Sequence, residues 1–269
     1  MVKLVITDMD GTLLNDKNEI NEEFWTIQKK LAENGVIFAV ASGRPYCNLV
    51  ERFKEIKDSM LFISENGACV MYKEKEIFSN TMKKEDVLFL LNICKNIDGA
   101  LPVLCGKTSA FVEKSVFLND KYDFESEITK YYNKIEVLDD LSEINDEIFK
   151  IAICDFIGAE KNSYTYFKDL EERFQVVVSG NVWLDLGKLD TSKGTAVEMA
   201  QKNLDIKYDE TMIFGDFLND YSMMKSGKYS YAMKNAHPKL KEISNFVTEK
   251  DNNNNGVLET VKEHFKDIL

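Results

Sequence analysis

Cysteine and histidine are scarce in this 269-residue chain, and their placement argues against several kinds of site. The five cysteines are odd in number and no two have C-x-x-C spacing, while the two histidines, His237 and His264, lie late in the chain. We therefore expect no disulfide framework, no structural zinc site and no metal cluster built on histidine.

Long apolar runs are also missing. No stretch approaches the ~20 apolar residues that a membrane span needs, and the N-terminal segment is apolar only until Asp8. We therefore expect no membrane span, no signal peptide and a cytoplasmic location.

Positive charge is in deficit. The chain has 34 Lys and Arg residues against 46 Asp and Glu residues, a formal net charge of -12. We expect such a chain to repel nucleic acid and anionic membranes, and to bind a small anion only where local cations or a metal reverse the field. Nothing in the sequence indicates an obligate protein partner.

Alternating strand and helix patterns at both ends of the chain predict a parallel sheet. Apolar segments 3–7, 36–41 and 60–63 are separated by helical patterns, and a hairpin pattern follows to residue 79. The alternation returns with a helix over 191–203 and a buried strand over 211–214, followed by a helix over 218–225. Strand-helix-strand repeats of this kind favour an α/β fold, here a Rossmann-like parallel-sheet core.

The middle of the chain has a different pattern. Short β-rich runs alternate there with polar helical stretches near 121–132 and 163–174. This pattern is typical of an α+β module with a mostly antiparallel sheet. We therefore predict that the core is split, with residues 1–81 and 187–269 forming one domain and residues 82–186 inserted into it, because loop closure over an insertion costs little.

Four loops that follow apolar strands of the split core carry polar residues suited to chemistry. In an open α/β sheet, ligands bind outside the carboxyl ends of the strands. The first loop has Asp8 and Asp10 close together, which suits a hard cation such as Mg2+. An EF-hand also needs spaced acids, but its glycine position is occupied by Leu13 and a strand precedes this loop.

Each of the other three loops, taken alone, is a less specific indication of a functional site. Ser42 and Gly43 open a strand-to-helix turn that can hold a phosphate through a hydroxyl and backbone N–H groups. Lys193 opens a later helix and could neutralise phosphate as a point charge. Asp216 and Asp220 lie on the turn after the strand at 211–214.

The four loops in this order resemble the haloacid dehalogenase superfamily of phosphohydrolases. The closer resemblance is to its Cof-type branch, in which an α/β cap is inserted between the second and third motifs. The matching positions are Asp8-Met9-Asp10-Gly11-Thr12, Ser42, Lys193, and Gly215-Asp216 with Asn219-Asp220. Weaker matches extend over the rest of the core, whereas the inserted segment resembles the family's cap only in size and position.

The resemblance implies a Mg2+-dependent phosphatase of small phosphorylated metabolites such as sugar phosphates. Asp8 would be the nucleophile and form an aspartyl phosphate. Asp10 would protonate the leaving oxygen and later activate water. The side chains of Asp8 and Asp216 and the backbone carbonyl of Asp10 would hold Mg2+, with Asp220 supporting the metal from nearby.

The resemblance also implies which residues bind the phosphoryl group. The side chains of Ser42, Lys193 and Asn219 would do so, together with the backbone N–H groups of Met9 and Gly43. The cap would close over the site and select the leaving group. Arg44 and Asn66 are further candidates for contact with the substrate.

Two rival functions stay open on the sequence. A phosphomutase of the same superfamily would use the same paired aspartates and return the phosphoryl group to sugar. A non-catalytic sensor of phosphorylated metabolites would keep the fold, but Asp8, Asp10 and Lys193 are all present. A serine or cysteine hydrolase is disfavoured, because the chain lacks G-x-S-x-G and has no histidine near a suitable nucleophile.

Overall fold

The computed structural model describes residues 1–118 and 121–269, and these form two compact units. The core unit consists of Met1–Ser79 and Ser192–Leu269, and the inserted unit is Asn80–Thr191. The boundaries predicted from the sequence lie after residues 81 and 186. The second of these falls inside a strand, Trp183–Lys188, that belongs wholly to the inserted unit.

The first segment of the core unit alternates strands and helices. In the first helix, Phe24, Ile27 and Leu31 are buried on one face, and Asn21 accepts the backbone N–H of Glu23 through Oδ1 at 2.8 Å. Gly35, with a φ of +75°, ends that helix. The elements are β1 (Leu4–Asp8), α1 (Glu23–Glu33), β2 (Ile37–Ala41), α2 (Tyr46–Arg52), β3 (Met60–Ser64), β4 (Cys69–Tyr72) and β5 (Lys75–Ser79).

The inserted unit is an α+β module. Its elements are α3 (Lys84–Cys94), β6 (Ala100–Gly106), β7 (Ala110–Glu113), α4 (Lys114–Phe117), α5 (Phe124–Ile128), β8 (Ile135–Leu138), β9 (Ile148–Asp155), α6 (Ser163–Phe167), β10 (Phe174–Gly180) and β11 (Trp183–Lys188). The six strands lie in the order β10-β11-β9-β6-β7-β8, and every neighbouring pair is antiparallel except β7 and β8. Alternate residues of β9 belong to two apolar clusters, so both faces of this sheet are packed.

The second segment of the core unit returns to the first pattern. Its elements are α7 (Lys193–Leu204), β12 (Thr211–Gly215), β13 (Tyr229–Ala232), α8 (Pro238–Ile243), β14 (Phe246–Val247) and α9 (Gly256–His264). The helix predicted over 218–225 is wrong, because two separate 3-10 turns stand there, Leu218–Asp220 and Met223–Lys225. The cause is local: the Asp220 carboxylate accepts the backbone N–H groups of Asp216 and Phe217 and so tightens the chain into a turn.

The core unit is built on one eight-stranded sheet with the order β14-β13-β12-β1-β2-β3-β4-β5. The strands from β14 to β3 are parallel, and β4 and β5 continue the sheet as an antiparallel hairpin. All five residues of β1 are buried, as expected for a central strand covered on both faces. The predicted α/β fold class is confirmed. Within the described ranges, no helix has the length and apolar character needed to cross a membrane.

Candidate active site

A buried triad of charges lies at the carboxyl ends of β1 and β12. Asp8 is the last residue of β1, and Lys193 is the first residue of α7. The Lys193 Nζ donates to Asp8 Oδ1 at 2.5 Å and to Asp220 Oδ1 at 2.7 Å. The side chains of Lys193 and Asp220 are fully buried, and that of Asp8 is 8% exposed. A lysine buried this deeply is stable as a cation only because both carboxylates contact it.

The helix that carries Lys193 is fixed by a local cap. Ser192 has extended backbone and its Oγ accepts the N–H of Thr195 at 3.1 Å, which starts α7 at Lys193. The next residue, Gly194, passes so close to Ser222 that an added Cβ would lie 2.7 Å from the Ser222 Cβ. The sequence Ser-Lys-Gly therefore places a lysine at the first helical position and lets the helix approach the turn after β12.

Opposing effects shift the pKa values of Asp8 and Lys193. Burial raises the pKa of Asp8 well above its usual range; Lys193 opposes this shift, and the carboxylates of Asp220 and Asp216 add to it. Burial alone would lower the pKa of Lys193, but the charges of Asp220 and Asp8 and their hydrogen bonds outweigh it, so that pKa is raised. Lys193 is therefore positively charged near neutral pH, and it contacts two carboxylates, those of Asp8 and Asp220.

Asp216 extends the acidic group. Its Oδ1 accepts the Thr12 hydroxyl at 2.9 Å, and burial raises its pKa to about 6. Gly11, with a φ of +80°, lies so near that an added Cβ would be 2.5 Å from Asp216 Oδ2. The loop from Asp8 to Thr12 thus closes tightly over Asp216. Thr12 is a site residue that was not predicted from the sequence. Its position in the first motif is the sequence feature that could have identified it.

Three carboxylates can converge on one ion. Asp8, Asp216 and Asp220 can each bring an oxygen within 4.8 Å of the others. Donors that are all carboxylate oxygens, with no imidazole or thiolate, fit a hard cation. Asp220 already accepts three hydrogen bonds, one from Lys193 and two from backbone N–H groups, so Asp8 and Asp216 are better placed as direct ligands and Asp220 as their support.

The Asp10 side chain points away from the group formed by Asp8, Asp216 and Asp220 and towards Arg44. Its carboxylate is 59% exposed and forms a two-point ion pair with Arg44, with Nη2 to Oδ1 at 2.6 Å and Nε to Oδ2 at 3.2 Å. Arg44 also donates to Asn18 Oδ1 at 3.2 Å. The Asp10 side chain is therefore outside the acidic group, and Arg44, which the sequence suggested as a substrate contact, is engaged by Asp10.

The second loop forms a compact turn. Ser42 is buried and its Oγ accepts the Arg44 N–H at 3.2 Å. An added Cβ on Gly43 would lie 3.1 Å from both terminal atoms of the Asn66 side chain. Asn219 Nδ2 lies 3.5 Å from Asn66 Oδ1. Asn66 thus joins the second and fourth loops. Met9 is fully buried, and its carbonyl accepts the Leu14 N–H at 2.9 Å.

The arrangement suits transfer of a phosphoryl group to a carboxylate. It combines a carboxylate at a strand end, a buried cation beside it, further carboxylate oxygens that could hold a hard metal and a separate carboxylate, Asp10, that reaches solvent. These four features could serve three needs of the reaction: attack, charge stabilisation by the lysine and a metal, and proton transfer.

Comparison with known proteins agrees with this chemistry. A family model described as haloacid dehalogenase-like hydrolase matches residues 5–261. The chain is 28% identical to 5-amino-6-(5-phospho-D-ribitylamino)uracil phosphatase YbjI of Escherichia coli, over 98% of this chain and 97% of that protein. It is 25% identical to phosphatase YwpJ of Bacillus subtilis, over 97% of this chain and 99% of that protein. The crystal structure of SMU.1108c from Streptococcus mutans superposes with a TM-score of 0.84 at 28% identity, covering 99% of this chain and 100% of that one.

Proposed function

The chain belongs to the haloacid dehalogenase-like hydrolases and is a phosphatase, and we propose that it hydrolyses small phosphorylated metabolites with Mg2+ through an aspartyl phosphate on Asp8. The observation that carries this proposal is the buried contact of Asp8 with Lys193 beside Asp216. A structural ion pair would not need a third carboxylate at the same point.

In the first half-reaction, a carboxylate oxygen of Asp8 attacks phosphorus and the bond to the leaving oxygen breaks. Lys193 stabilises the anionic carboxylate before attack and the phosphoryl oxygens during it. We assign the remaining phosphoryl contacts to the side chains of Ser42 and Asn219 and to the backbone N–H groups of Met9 and Gly43. These groups bind the part of the substrate that all phosphate esters share.

We assign the proton transfers of both half-reactions to Asp10. As an acid it gives a proton to the departing alkoxide, and as a carboxylate it then takes a proton from the water that attacks the aspartyl phosphate. Its exposure suits this role, because a group that exchanges protons with substrate and water must reach both. Arg44 holds it in one orientation through two hydrogen bonds.

The residues present fit Mg2+. Asp8, Asp216 and the backbone carbonyl of Asp10 would hold it, and Asp220 would orient its surroundings. When bound, the ion supplies positive charge that offsets the phosphate dianion and the neighbouring carboxylates. Burial is the main cause of the raised pKa values of Asp8 and Asp216, and the neighbouring carboxylate of Asp220 adds to it. A bound cation would favour the charged form of both groups.

The family and one relative support a proposal for the substrate class. The name of the Escherichia coli relative specifies a phosphate on a ribityl chain. We propose a phosphorylated sugar or polyol as the substrate here, and we assign selection of its leaving group to the inserted unit, Asn80–Thr191. The acidic chain repels larger polyanions, which also favours a small substrate.

A screen for phosphate release tests the function. The protein is incubated with Mg2+ and a panel of sugar phosphates, polyol phosphates, the ribityl substrate of the relative and p-nitrophenyl phosphate. We expect release of free phosphate from several of them and none from Asp8→Asn. Isomerised sugar phosphate without free phosphate would identify a mutase instead. Binding without either product would identify a sensor.

A further inference from the structure

The turn that follows β3 has an unusual backbone. Glu65, Asn66 and Gly67 have φ angles of +50°, +55° and +100°, so three consecutive residues lie in the left-handed region. Each non-glycine residue there is strained, by an amount that asparagine tolerates best. Strain of this kind persists only where the surroundings hold it, and it is concentrated at functional sites.

The turn is held by the loops of the proposed phosphate site. The backbone N–H of Asn66 donates to the Ser42 carbonyl at 3.0 Å, and that of Glu65 donates to the Arg44 carbonyl at 3.1 Å. An added Cβ on Gly67 would collide with the carbonyl of Ser192, the residue before Lys193. The turn therefore contacts both the second loop and the start of α7.

The left-handed backbone places the Asn66 side chain between two other loops. One side of its carboxamide packs on Gly43, where an added Cβ would lie 3.1 Å from Oδ1 and from Nδ2. Its Oδ1 accepts from Asn219 Nδ2 at 3.5 Å, a long hydrogen bond. The Asn66 side chain thus contacts both Gly43 and Asn219, two residues assigned above to the phosphoryl group.

We propose that Asn66 is a positioning residue that acts through Asn219, and not a residue that contacts the substrate. The Asn219 amide has two N–H groups. When one donates to Asn66 Oδ1, the rotation of the carboxamide is fixed, and the second N–H is left for a phosphoryl oxygen. The inference rests on the proposed function, because it takes Asn219 as a phosphate ligand.

A double-mutant cycle tests the proposal in the full-length protein. The variants are Asn66→Gly, Asn219→Ala and the double variant. Glycine keeps the left-handed backbone and removes only the side chain. Asn255→Gly is the matched control, because Asn255 also has a φ of +60° but lies at the start of α9. The measurements are the inhibition constant of inorganic phosphate, kcat and KM for p-nitrophenyl phosphate, and the Tm of each protein.

We expect Asn66→Gly to raise the inhibition constant of phosphate by about three- to tenfold, as for the loss of a hydrogen bond between neutral groups. Asn219→Ala should raise it by a similar or larger factor. The double variant should be no more than about twofold weaker than Asn219→Ala, because the Asn66 effect passes through Asn219. The control should bind phosphate as the wild type does.

Three results would overturn the inference. Effects that multiply in the double variant would mean that Asn66 contacts phosphate independently. An unchanged inhibition constant with a lowered Tm would mean that Asn66 only stabilises the turn. A wild type that neither binds phosphate nor hydrolyses any ester would overturn the proposed function together with this inference. If Asn66→Gly does not fold in buffer alone, all four proteins are measured in sucrose, an osmolyte that favours the folded state.

Discussion

Arg44 and Asp10 are joined by two hydrogen bonds to different carboxylate oxygens, at 2.6 Å and 3.2 Å. A guanidinium holds a carboxylate in one plane in this way, whereas an ammonium makes a single flexible contact. We expect Arg44→Lys to keep the charge and lose the orientation. It should lower kcat by about tenfold with alkyl phosphates, where proton transfer matters most.

The matched variant Arg44→Met separates orientation from substrate binding. If Arg44 serves Asp10, both variants lower kcat and leave KM for p-nitrophenyl phosphate within about twofold. If Arg44 binds the substrate, KM rises in both and kcat changes little. Steady-state kinetics on one alkyl and one aryl phosphate distinguish the two cases.

Substitution of the two aspartates of the first loop should block different steps of the reaction. Asp8→Asn removes the nucleophile, so no phosphoenzyme should form. Asp10→Asn keeps the backbone carbonyl and loses only the titrating group. Because p-nitrophenolate leaves without protonation, attack should survive in part, while hydrolysis of the aspartyl phosphate should slow by ~10²–10⁴-fold.

Rapid-quench kinetics and intact-protein mass spectrometry examine that difference. Asp10→Asn should release a burst of p-nitrophenol and gain one phosphoryl group that maps to Asp8. Steady turnover with neither burst nor mass gain would show that Asp10 does not have the acid and base role assigned to it.

Removal of metal should stop catalysis. The acidic group of Asp8, Asp216 and Asp220 offers only carboxylate oxygens, which favour Mg2+ over softer metals. Treatment with EDTA should abolish hydrolysis of p-nitrophenyl phosphate, and Mg2+ should restore it. Mg2+ at 100 times its Kd should also stabilise the fold by about 2.7 kcal/mol, and Asp216→Asn should weaken this effect. Full turnover in the metal-free protein would contradict the site.

Lys193→Met should destabilise the protein in a pH-dependent way. In EDTA at pH 8 it leaves Asp8 and Asp220 buried without their cation, which should cost about 3–5 kcal/mol. The wild-type contribution of Lys193 is constant near neutral pH, because its raised pKa keeps it protonated there. In the variant the pKa of Asp8, already raised by burial, rises further. The folded variant then binds a proton that the unfolded chain releases, so its free energy of unfolding should increase as the pH falls from 8 towards 5.

Lys54→Met is the control for that experiment. Lys54 pairs with Glu51 at 3.3 Å, and both side chains are well exposed. Its loss should cost about 1 kcal/mol or less and should not change the pH trend. Urea denaturation at several pH values gives the free energy of unfolding of both variants. If this free energy depended on pH in the same way in the Lys193 variant and in the control, the proposed coupling between Lys193 and Asp8 would be refuted.

Two glycines with positive φ should respond very differently to alanine. Gly35 has a φ of +75° and nothing within 4 Å of an added Cβ, whereas an added Cβ on Gly67 would collide with the Ser192 carbonyl. Gly35→Ala should cost only the backbone strain, about 1–2 kcal/mol. Gly67→Ala should cost clearly more and also reduce activity, because Ser192 caps the helix that carries Lys193. Equal losses in free energy of unfolding would show that the turn can move away.

The general placement of the site could be predicted because local patterns determine it. Apolar runs that end in Asp8, Ser42 and Gly215-Asp216 identify strand ends, and parallel strands bring such ends to one edge of a sheet. The structure brings Asp8, Lys193 and Asp216 together in the core unit, although they lie far apart in sequence. The catalytic roles of these residues remain predictions.

Side-chain direction could not be predicted. The sequence does not reveal that Asp10 turns to Arg44, or that Asp220 accepts Lys193 and two backbone N–H groups, because these bonds depend on rotamers and on tertiary distances. The hydrogen bonds that Asp220 accepts from the backbone also explain why the helix predicted over 218–225 does not form. Strand β8 was also missed, because its four residues alternate weakly and gain their stability by pairing with β7.

The position of β1 also constrains how the chain is made. In the sheet, β1 lies between β2, which follows it closely, and β12, which begins at Thr211. A ribosome delivers these strands in order, so a nascent chain that ends before residue 211 has β1 paired on one edge only. The inserted unit has all its strands by then. During translation the apolar strand that carries Asp8 therefore keeps an open edge, available for pairing with other chains, until long after the inserted unit has been synthesised.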